Sequence, residues 1–329
     1  MLDRRTFLAL LGAGASSVAL GLGPWRAAVA DGGNLALYGP PAAPSLALAH
    51  LAERHGLDPA YGQPSFSVYR DPDQLRTGFV SGRWELAGTP TYVAANMANR
   101  ELPVHLVNVM TQGLLYVISR DDSVQSFDDL AGKTVAMFFK GDMPDLVCQY
   151  IAEQRGLRVG GDIKLQYVAT PVEAIQLLLS GRVDQAVLPE PAATGAIMQG
   201  MKATQKLVRA IDLQQAWAEV TGGPPAIPQA GMMIAEPLME RHPGLVADLQ
   251  QAFAASADWV NNNPASAGKL GAAYMPLKPP VIERSIPFSK IEPQTGKAAR
   301  PALEDFFGRL VELNPGIIGG RLPDAGFYL

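Results

Sequence analysis

The residue types that most often carry catalysis or metal binding are few in this sequence, and their spacing suits neither. Of the four histidines, His50 and His55 are five positions apart, which puts them on different faces of a helix, whereas a zinc helix spaces its histidines by four. Cys148 is the single cysteine, so the chain has neither a CxxC motif nor an internal disulfide. The GxSxG motif is also absent. These residues predict a protein that is not an enzyme and that uses no metal and no cofactor.

Hydroxyl groups beside a helix start indicate instead a binding site for an anion. Pro44 and Ser45 open a predicted helix with no acidic residue nearby, and Thr89 and Thr91 follow a predicted strand. Free backbone N–H groups converge at a helix N-terminus, where oxyanions are commonly bound. We therefore predict an acidic headgroup near Ala43–Ser45 and Thr89. The alternative is that Ser45 only caps the helix and that the threonines only satisfy a turn.

A second group of polar residues indicates which charged or hydrogen-bonding groups the solute carries besides an acidic headgroup. Lys140 is suited to neutralise an anion, although Asp142 and Asp145 lie beside it in the sequence. Glu190 follows another predicted strand and has two interpretations. It is either a solvated loop carboxylate or an acceptor for an amine or ring N–H of the solute. The second interpretation favours a zwitterionic or heteroaromatic solute over bare nitrate.

The elements that must position these residues occur twice in the chain. Residues 35–57 align without a gap with residues 135–157, and residues 71–91 align with residues 170–190 at an offset of 99. Glycines fall on glycines and prolines on prolines, a constant register that shared composition alone does not produce. Each copy alternates strand-length apolar runs with helices bounded by proline, glycine and capping boxes. The pattern predicts two similar α/β lobes, each a mainly parallel β-sheet flanked by helices in the order β-α-β-α-β.

Two such lobes place a ligand cleft between them. Ligands of open α/β sheets bind outside the carboxyl ends of the strands, so facing lobes line a cleft with matched loops. The apolar run 104–119, interrupted at Thr111–Gly113, crosses into the second lobe, and residues 222–235 return. We predict a first lobe of residues 31–113 plus 231–329, and a second lobe with the crossover at 114–230.

Residues in these loops and in the crossing segment form the predicted binding site. They are Tyr38, Ala43, Pro44, Ser45, Tyr69, Arg70, Thr89, Thr91, Thr111, Gln112, Phe139, Lys140, Gly141, Asp142, Thr170 and Glu190. Five aromatic residues near the strand ends are available to stack on a flat or aliphatic part of the solute, and strand alternation turns about half of them toward the cores. Those five are Tyr38, Tyr69, Tyr92, Phe138 and Phe139.

Three further expectations concern packing. Helices predicted at 243–260 and 300–313 should pack on the first lobe. Cys148 aligns with Leu48 on an apolar helix face, which predicts a core thiol and not a reactive one.

The first 30 residues predict an export signal. Arg4-Arg5 precede Phe7 and an apolar run, and "AVA" at 28–30 offers the small-x-small pattern of a signal-peptidase site. The twin arginines indicate the twin-arginine route, with an ordinary secretory signal as the alternative.

The full chain has 27 Lys and Arg against 31 Asp and Glu, a net charge of −4. Because it has no basic run, nucleic acid and anionic lipid are poor partners.

A family resemblance is carried by residues 88–136, which begin "GTPTYVAANMANRELPVHL", and by the phrases "DDLAGKTV" (128–135) and "GRVDQAVLPEP" (181–191). The chain resembles type II periplasmic substrate-binding proteins of ABC importers, above all the nitrate/sulfonate/taurine group. The resemblance implies capture of a small organic anion or zwitterion in the periplasm by a monomer. It also implies closure of the two lobes and delivery to a membrane permease and its ATPase.

Several alternatives share this fold. Binders of pyrimidine-type or other heteroaromatic precursors use the same cleft, as do ligand-sensing subunits that dock on a membrane receptor. An exported enzyme is a further alternative. The related pyrimidine synthases carry clustered cysteines, which this sequence lacks.

Overall fold

The computed structural model of the protein describes residues 34–54, 57 and 61–329. The predicted signal at 1–30 lies outside this range, as do His55 and the predicted helix stop at Gly56. None of the helices within the described residues combines the length and the apolar character that crossing a membrane requires.

The chain forms eleven strands and twelve helices over the described residues. The first copy of the repeat gives β1 (Ala36–Gly39), α1 (Ser45–Glu53), β2 (Ser65–Val68), α2 (Pro72–Val80) and β3 (Leu86–Pro90). The crossing region follows with α3 (Thr91–Asn99), β4 (Val104–Thr111) and β5 (Leu115–Ser119). The second copy gives β6 (Thr134–Phe138), α4 (Met143–Gln154), β7 (Lys164–Val168), α5 (Pro171–Leu179) and β8 (Gln185–Pro189).

The remainder completes both lobes. These elements are α6 (Ala192–Lys202), β9 (Val208–Asp212), α7 (Leu213–Thr221), β10 (Ala230–Ala235), α8 (Glu236–Arg241), α9 (Leu245–Asn262), α10 (Pro264–Gly271), α11 (Pro279–Ser285), β11 (Gln294–Thr295) and α12 (Gly296–Leu313).

The strands form two sheets that repeat one plan. The first has the order β11-β4-β10-β3-β1-β2 and the second β7-β6-β8-β5-β9. In each, the three strands of the repeat are parallel, and one antiparallel strand follows, β10 on β3 and β5 on β8. The predicted duplicated β-α-β-α-β lobes are therefore confirmed. The exact domain boundaries stay a prediction.

The helix starts show why the sequence pattern was informative. Asp71 Oδ1 accepts from the N–H of Gln74 at 2.9 Å, and Thr170 Oγ1 accepts from the N–H of Glu173 at 3.3 Å. In a capping box, the side chain three residues after the cap also accepts a hydrogen bond from the backbone N–H of the cap residue. In both helices here, that second bond comes from the residue before the cap. The Gln74 and Glu173 side chains accept from the residue before the cap, Arg70 N–H at 2.8 Å and Ala169 N–H at 3.1 Å.

The two long helices pack on the first lobe as predicted. Helix α9 packs on α1. Helix α12 packs on β4, and it also packs on α4 of the second lobe, a contact that the sequence did not predict. Phe306 of α12 lies 5.6 Å from Trp217, and Arg309 donates to the Tyr150 hydroxyl at 2.7 Å. One hydrophobic core therefore extends from one lobe into the other.

Candidate functional site

The predicted anion locus at the start of α1 has its donors already in use. Ser45 is fully buried, and its hydroxyl donates to the Pro40 carbonyl at 2.5 Å. The backbone N–H groups of Ser45 and Leu46 donate to the carbonyls of Ala42 and Ala43, both at 3.0 Å. A hydroxyl has one proton and a backbone amide has one, so these groups donate within the turn itself. The alternative of Ser45 as the helix cap is wrong, because Pro44 occupies the N-cap and Ser45 is the first helical residue.

The two predicted threonines are bonded within the protein as well. Thr89 and Thr91 are fully buried. Thr89 donates to the Pro90 carbonyl at 3.2 Å, and Thr91 donates to the Pro228 carbonyl at 2.7 Å. The Thr89 bond is local, as in the interpretation in which the threonines satisfy a turn, whereas the Thr91 bond ties the start of α3 to the returning segment at Pro228. An anion site at Ala43–Ser45 and Thr89 stays a prediction.

The aromatic residues divide as strand alternation predicts. Tyr38 is half-buried, with its ring stacked on Trp84 at 4.0 Å. Phe139 is half-buried in the left-handed backbone region, with φ of 53°. The other three are buried in the core: Tyr69, Tyr92 and Phe138. Of these five, Tyr38 and Phe139 are therefore the two whose rings are partly exposed.

Glu190 is not the solvated carboxylate that one interpretation described. Its side chain is 0% exposed, accepts from the Thr194 N–H at 3.1 Å and forms an ion pair with Arg209. Burial raises the pKa of Glu190, and the guanidinium of Arg209 acts in the opposite direction. Arg209 also donates to Thr194 Oγ1 at 3.0 Å. The carboxylate that was predicted to contact a solute is thus held by Arg209 of β9, a strand of the same sheet.

A segment of the first lobe covers this ion pair and reaches both sides of the crossing strands. We call residues 288–292 the hinge strap. The Arg209 guanidinium lies 3.5 Å from the ring centroid of Phe288, and the Tyr116 hydroxyl donates to the Phe288 carbonyl at 2.8 Å. Lys290 Nζ donates to the Pro225 carbonyl in the returning segment at 2.9 Å. The strap therefore ties the first lobe to the second.

Thr111 and Gln112, both predicted to bind the solute, hold this strap. The Thr111 hydroxyl donates to the Ser289 carbonyl at 2.7 Å, and the Gln112 N–H donates to the Lys290 carbonyl at 3.0 Å. Gly113 follows with φ of +128°, and a side chain there would clash with Gln214. The polar interruption of the crossing run is thus a structural junction between the lobes.

The other predicted residues lie at the second-lobe loops and their counterpart in the first. Arg70 and Thr170 are exposed beside the starts of α2 and α5. Lys140 is exposed, with Nζ 4.9 Å from the ring centroid of Tyr167. Asp145 is buried and accepts from the Gly141 N–H at 2.8 Å and from the Tyr167 hydroxyl at 3.1 Å. Asp145 therefore shapes the loop, and Lys140 remains available at its edge.

A cavity of about 540 Å³ lies where α2 and α3 of the first lobe meet the Gly141–Asp142 loop of the second. Its polar lining is Arg76, Tyr92, Asn96, Arg100, Asp142 and Asn314. Gly141 and Asp142 were predicted site residues, whereas the arginines and asparagines were missed. Tyr92, Asn96 and Arg100 follow one another at four-residue intervals, so one face of α3 presents all three. This four-residue spacing of polar side chains is the feature of the sequence from which this wall of the cavity could have been predicted.

Asp142 connects the lobes at this cavity. It precedes α4 as the N-cap residue, yet its side chain makes no capping hydrogen bond. The carboxyl is half-buried and hydrogen-bonds with the Tyr92 hydroxyl of α3. Burial raises the pKa of Asp142, while the Tyr92 hydrogen bond and the charge of Arg76 lower it in part. The acid therefore faces the other lobe instead of its own helix.

Comparison with solved structures finds the same fold in several proteins. An ABC transporter structure from Parabacteroides distasonis is 23% identical with a TM-score of 0.75, covering 90% of this chain and 98% of the other. The periplasmic aliphatic sulphonate binding protein SsuA from Escherichia coli is 18% identical with a TM-score of 0.69, covering 90% and 99%. The periplasmic nitrate-binding protein NrtA from Synechocystis PCC 6803 is 16% identical with a TM-score of 0.59, covering 78% and 70%. These likenesses confirm the predicted two-lobed α/β fold.

The family itself is shown by sequence. A search of curated proteins finds no match. The family model described as "ABC transporter, phosphonate, periplasmic substrate-binding protein" matches residues 47–257, more than half of the chain. The predicted resemblance to substrate-binding components of ABC importers is confirmed. The chain belongs to this family of periplasmic substrate-binding proteins of ABC transporters.

Proposed function

We propose that the protein captures a small organic solute bearing an oxyanion between its two lobes and delivers it to a membrane permease and its ATPase. The observation that carries the proposal is the cavity of about 540 Å³ between α2, α3 and the Gly141–Asp142 loop. Its volume lies within the range of small-molecule sites, roughly 300–1,000 Å³. Both lobes line it, so a solute bound there touches both and favours their closed arrangement.

The lining of the cavity supports the oxyanion. Arg76 and Arg100 contribute two guanidinium groups, whose planar donors suit sulfonate, phosphonate and carboxylate oxygens. The matched family model is described by phosphonate, and the two named binding proteins are described by sulphonate and nitrate. Each of these ligands presents several oxygens that share negative charge. A solute of this chemical class is therefore the best-supported occupant.

The route and place of action belong to the same proposal. The Arg4-Arg5 segment and the "AVA" pattern at 28–30 support export through the twin-arginine pathway and action in the periplasm. Exchange of Arg4 and Arg5 for lysines should leave the precursor uncleaved in cells, as seen by immunoblotting of fractions. Normal export of that variant would support the ordinary secretory route instead.

A thermal-shift screen of the purified chain tests the proposed solute class. Alkanesulfonates, alkylphosphonates, their amino derivatives, nitrate and pyrimidines form the panel. A true ligand at one hundred times its Kd stabilises the native state by about 2.7 kcal/mol, which raises the Tm measurably. We expect an increase with at least one organic oxyanion. An increase with pyrimidines alone would contradict the proposal and favour the heteroaromatic alternative.

A further inference from the structure

We infer that Asp142 selects solutes that carry a cationic group, and that such a solute lies in the cavity with its oxyanion toward Arg100. The inference rests on the proposed function, since it names the residue that decides which oxyanion-bearing solutes bind. It also reassigns a role, because Glu190, which one interpretation of the sequence made the acceptor for an amine, is paired with Arg209.

The first argument is that Asp142 is not used by its own helix. Aspartate is among the strongest N-cap residues, and its capping hydrogen bond stabilises a helix by about 1 kcal/mol. Asp71 and Thr170 make such bonds at α2 and α5, whereas the Asp142 side chain makes none at α4. The first-lobe position aligned with it is Ala42. The acid is therefore specific to the second lobe and is turned into the space between the lobes.

The second argument concerns the charges that face Asp142. From the first lobe these are Arg76 and Asp73 of α2 and the Tyr92 hydroxyl of α3, and from its own helix Asp145. Arg76 is hydrogen-bonded with Asp73 at 3.0 Å, so its charge is shared. A half-buried carboxylate is costly unless a cation pairs with it. An ammonium group in the cavity would supply that charge directly.

The third argument is the separation of charge along the cavity. Tyr92, which meets Asp142, lies eight residues before Arg100, which is about 12 Å along the axis of α3 at 1.5 Å per residue. Arg76 of α2 lines the same cavity. The lining is thus acidic at the second-lobe loop and basic toward the end of α3. A short chain with a protonated amine at one end and an oxyanion at the other matches this polarity.

Paired solutes that differ only in the amine test the inference. Calorimetric titration compares taurine with ethanesulfonate, and 2-aminoethylphosphonate with ethylphosphonate. The wild-type chain should bind the amine-bearing member of a pair at least about tenfold more tightly. Asp142→Asn, which is nearly isosteric, should abolish that preference and leave the affinity for the amine-free member unchanged. Glu153→Gln, at an exposed position of the same helix, is the matched control and should retain the preference.

The other end of the cavity is tested in the same titrations. Arg100→Gln removes a charge that both members of a pair need, so both affinities should fall by a similar factor. Arg158→Gln, which loses an exposed pair with Asp162, is the control and should change neither. Equal loss for both members distinguishes an oxyanion contact from an amine contact. Unchanged affinities for Arg100→Gln would place the oxyanion elsewhere and overturn this arrangement.

The pH dependence gives an independent readout. An amine-bearing sulfonate needs Asp142 ionised, while its own two charges persist across the acidic range. Because burial raises the pKa of Asp142, with Tyr92 and Arg76 opposing, the affinity for taurine should decline at a higher pH than an ordinary aspartate would give. The affinity for ethanesulfonate should not follow that decline, and neither should the Asp142→Asn variant.

The outcomes separate the two proposals. Equal affinity of the wild-type chain for both members of each pair overturns the role of Asp142 and leaves the proposed function standing. The same holds when Asp142→Asn weakens both members equally at an unchanged Tm without ligand. Absence of binding to every sulfonate, phosphonate and nitrate overturns the proposed function itself.

Discussion

At the scale of single residues, burial decides what each ionisable group does. Glu190 and Cys148 were both chemically ambiguous in the sequence, and both are enclosed in the second lobe, at 0% and 4% exposure. A buried charge must be paired, and a buried thiol resists ionisation. The pairing of Glu190 with Arg209 and the core position of Cys148 follow from these two rules.

The Glu190–Arg209 pair makes a prediction about stability. Glu190→Gln leaves the largely buried Arg209 guanidinium without its counter-charge, so the free energy of unfolding should fall by about 3 kcal/mol. Urea unfolding followed by circular dichroism measures the change. Glu304→Gln removes a more exposed partner of Arg300 and should cost less than about 1 kcal/mol. Equal effects of the two substitutions would show that burial does not distinguish these pairs.

Cys148 makes a prediction about reactivity. Burial raises the pKa of its thiol, so the reactive thiolate is scarce at neutral pH and the sulfur is out of reach. A thiol reagent such as dithionitrobenzoate should label the native chain far more slowly than the chain in 6 M guanidinium. Rapid and complete labelling under native conditions would contradict the predicted core position.

The sequence was least informative about where polar side chains point. It located the helix start at Ser45 correctly within one residue, yet the hydroxyl donates back to Pro40. That direction depends on the loop path of residues 40–44, which local patterns do not specify. Arg76 and Arg100 look like ordinary helix-surface cations until the second lobe completes the cavity that they line together with Asp142. Site chemistry of this kind depends on the lobe arrangement.

At the scale of elements, local signals carried most of the prediction. The strands and helices of both copies were identified because each segment contains its own signals: capping residues, terminal glycines and a periodic spacing of apolar residues. Helix α12 packs on β4 of the first lobe as predicted, but its second contact, with α4 of the other lobe, was not predicted because it depends on a partner that is distant in the sequence. The apolar face of α12 therefore predicts that the helix is buried, but it does not identify the elements that the helix packs against.

The matched caps test the equivalence of the two copies. Asp71→Ala and Thr170→Ala each remove the side-chain acceptor of a helix N-terminus, so each should lower the free energy of unfolding by about 1 kcal/mol. Gln199→Ala at an exposed position of α6 is the control and should change it by less than about 0.5 kcal/mol. Chemical unfolding of all three variants gives the comparison. A neutral effect of both cap variants would remove the caps as determinants of these helices.

At the scale of the whole molecule, the two lobes are joined at two separate places. The hinge strap, residues 288–292, is one of them, with Phe288 stacked on Arg209. The other is the Asp142–Tyr92 contact at the cavity. Contacts near the hinge fix the axis of motion, and contacts far from it change most when the lobes separate. The strap should therefore govern the equilibrium between open and closed arrangements.

Phe288→Leu tests this role of the strap. The cation–π contact of Phe288 with Arg209 contributes roughly 0.5–2 kcal/mol, so its loss should shift the ligand-free chain toward the open arrangement. Small-angle scattering should record a larger radius of gyration without solute, and solute affinity should fall by about threefold to tenfold. Phe288→Tyr keeps the aromatic face and should behave as the wild-type chain does. Indistinguishable scattering of all three proteins would show that the strap does not set the lobe arrangement.

Capture of an organic oxyanion between the lobes is tested most directly by isothermal titration calorimetry of the purified chain with sulfonates and phosphonates. We predict saturable binding of at least one of them, with one solute per chain. Heat of binding for none of them at millimolar concentration, from a chain that unfolds cooperatively and is therefore native, would contradict the account.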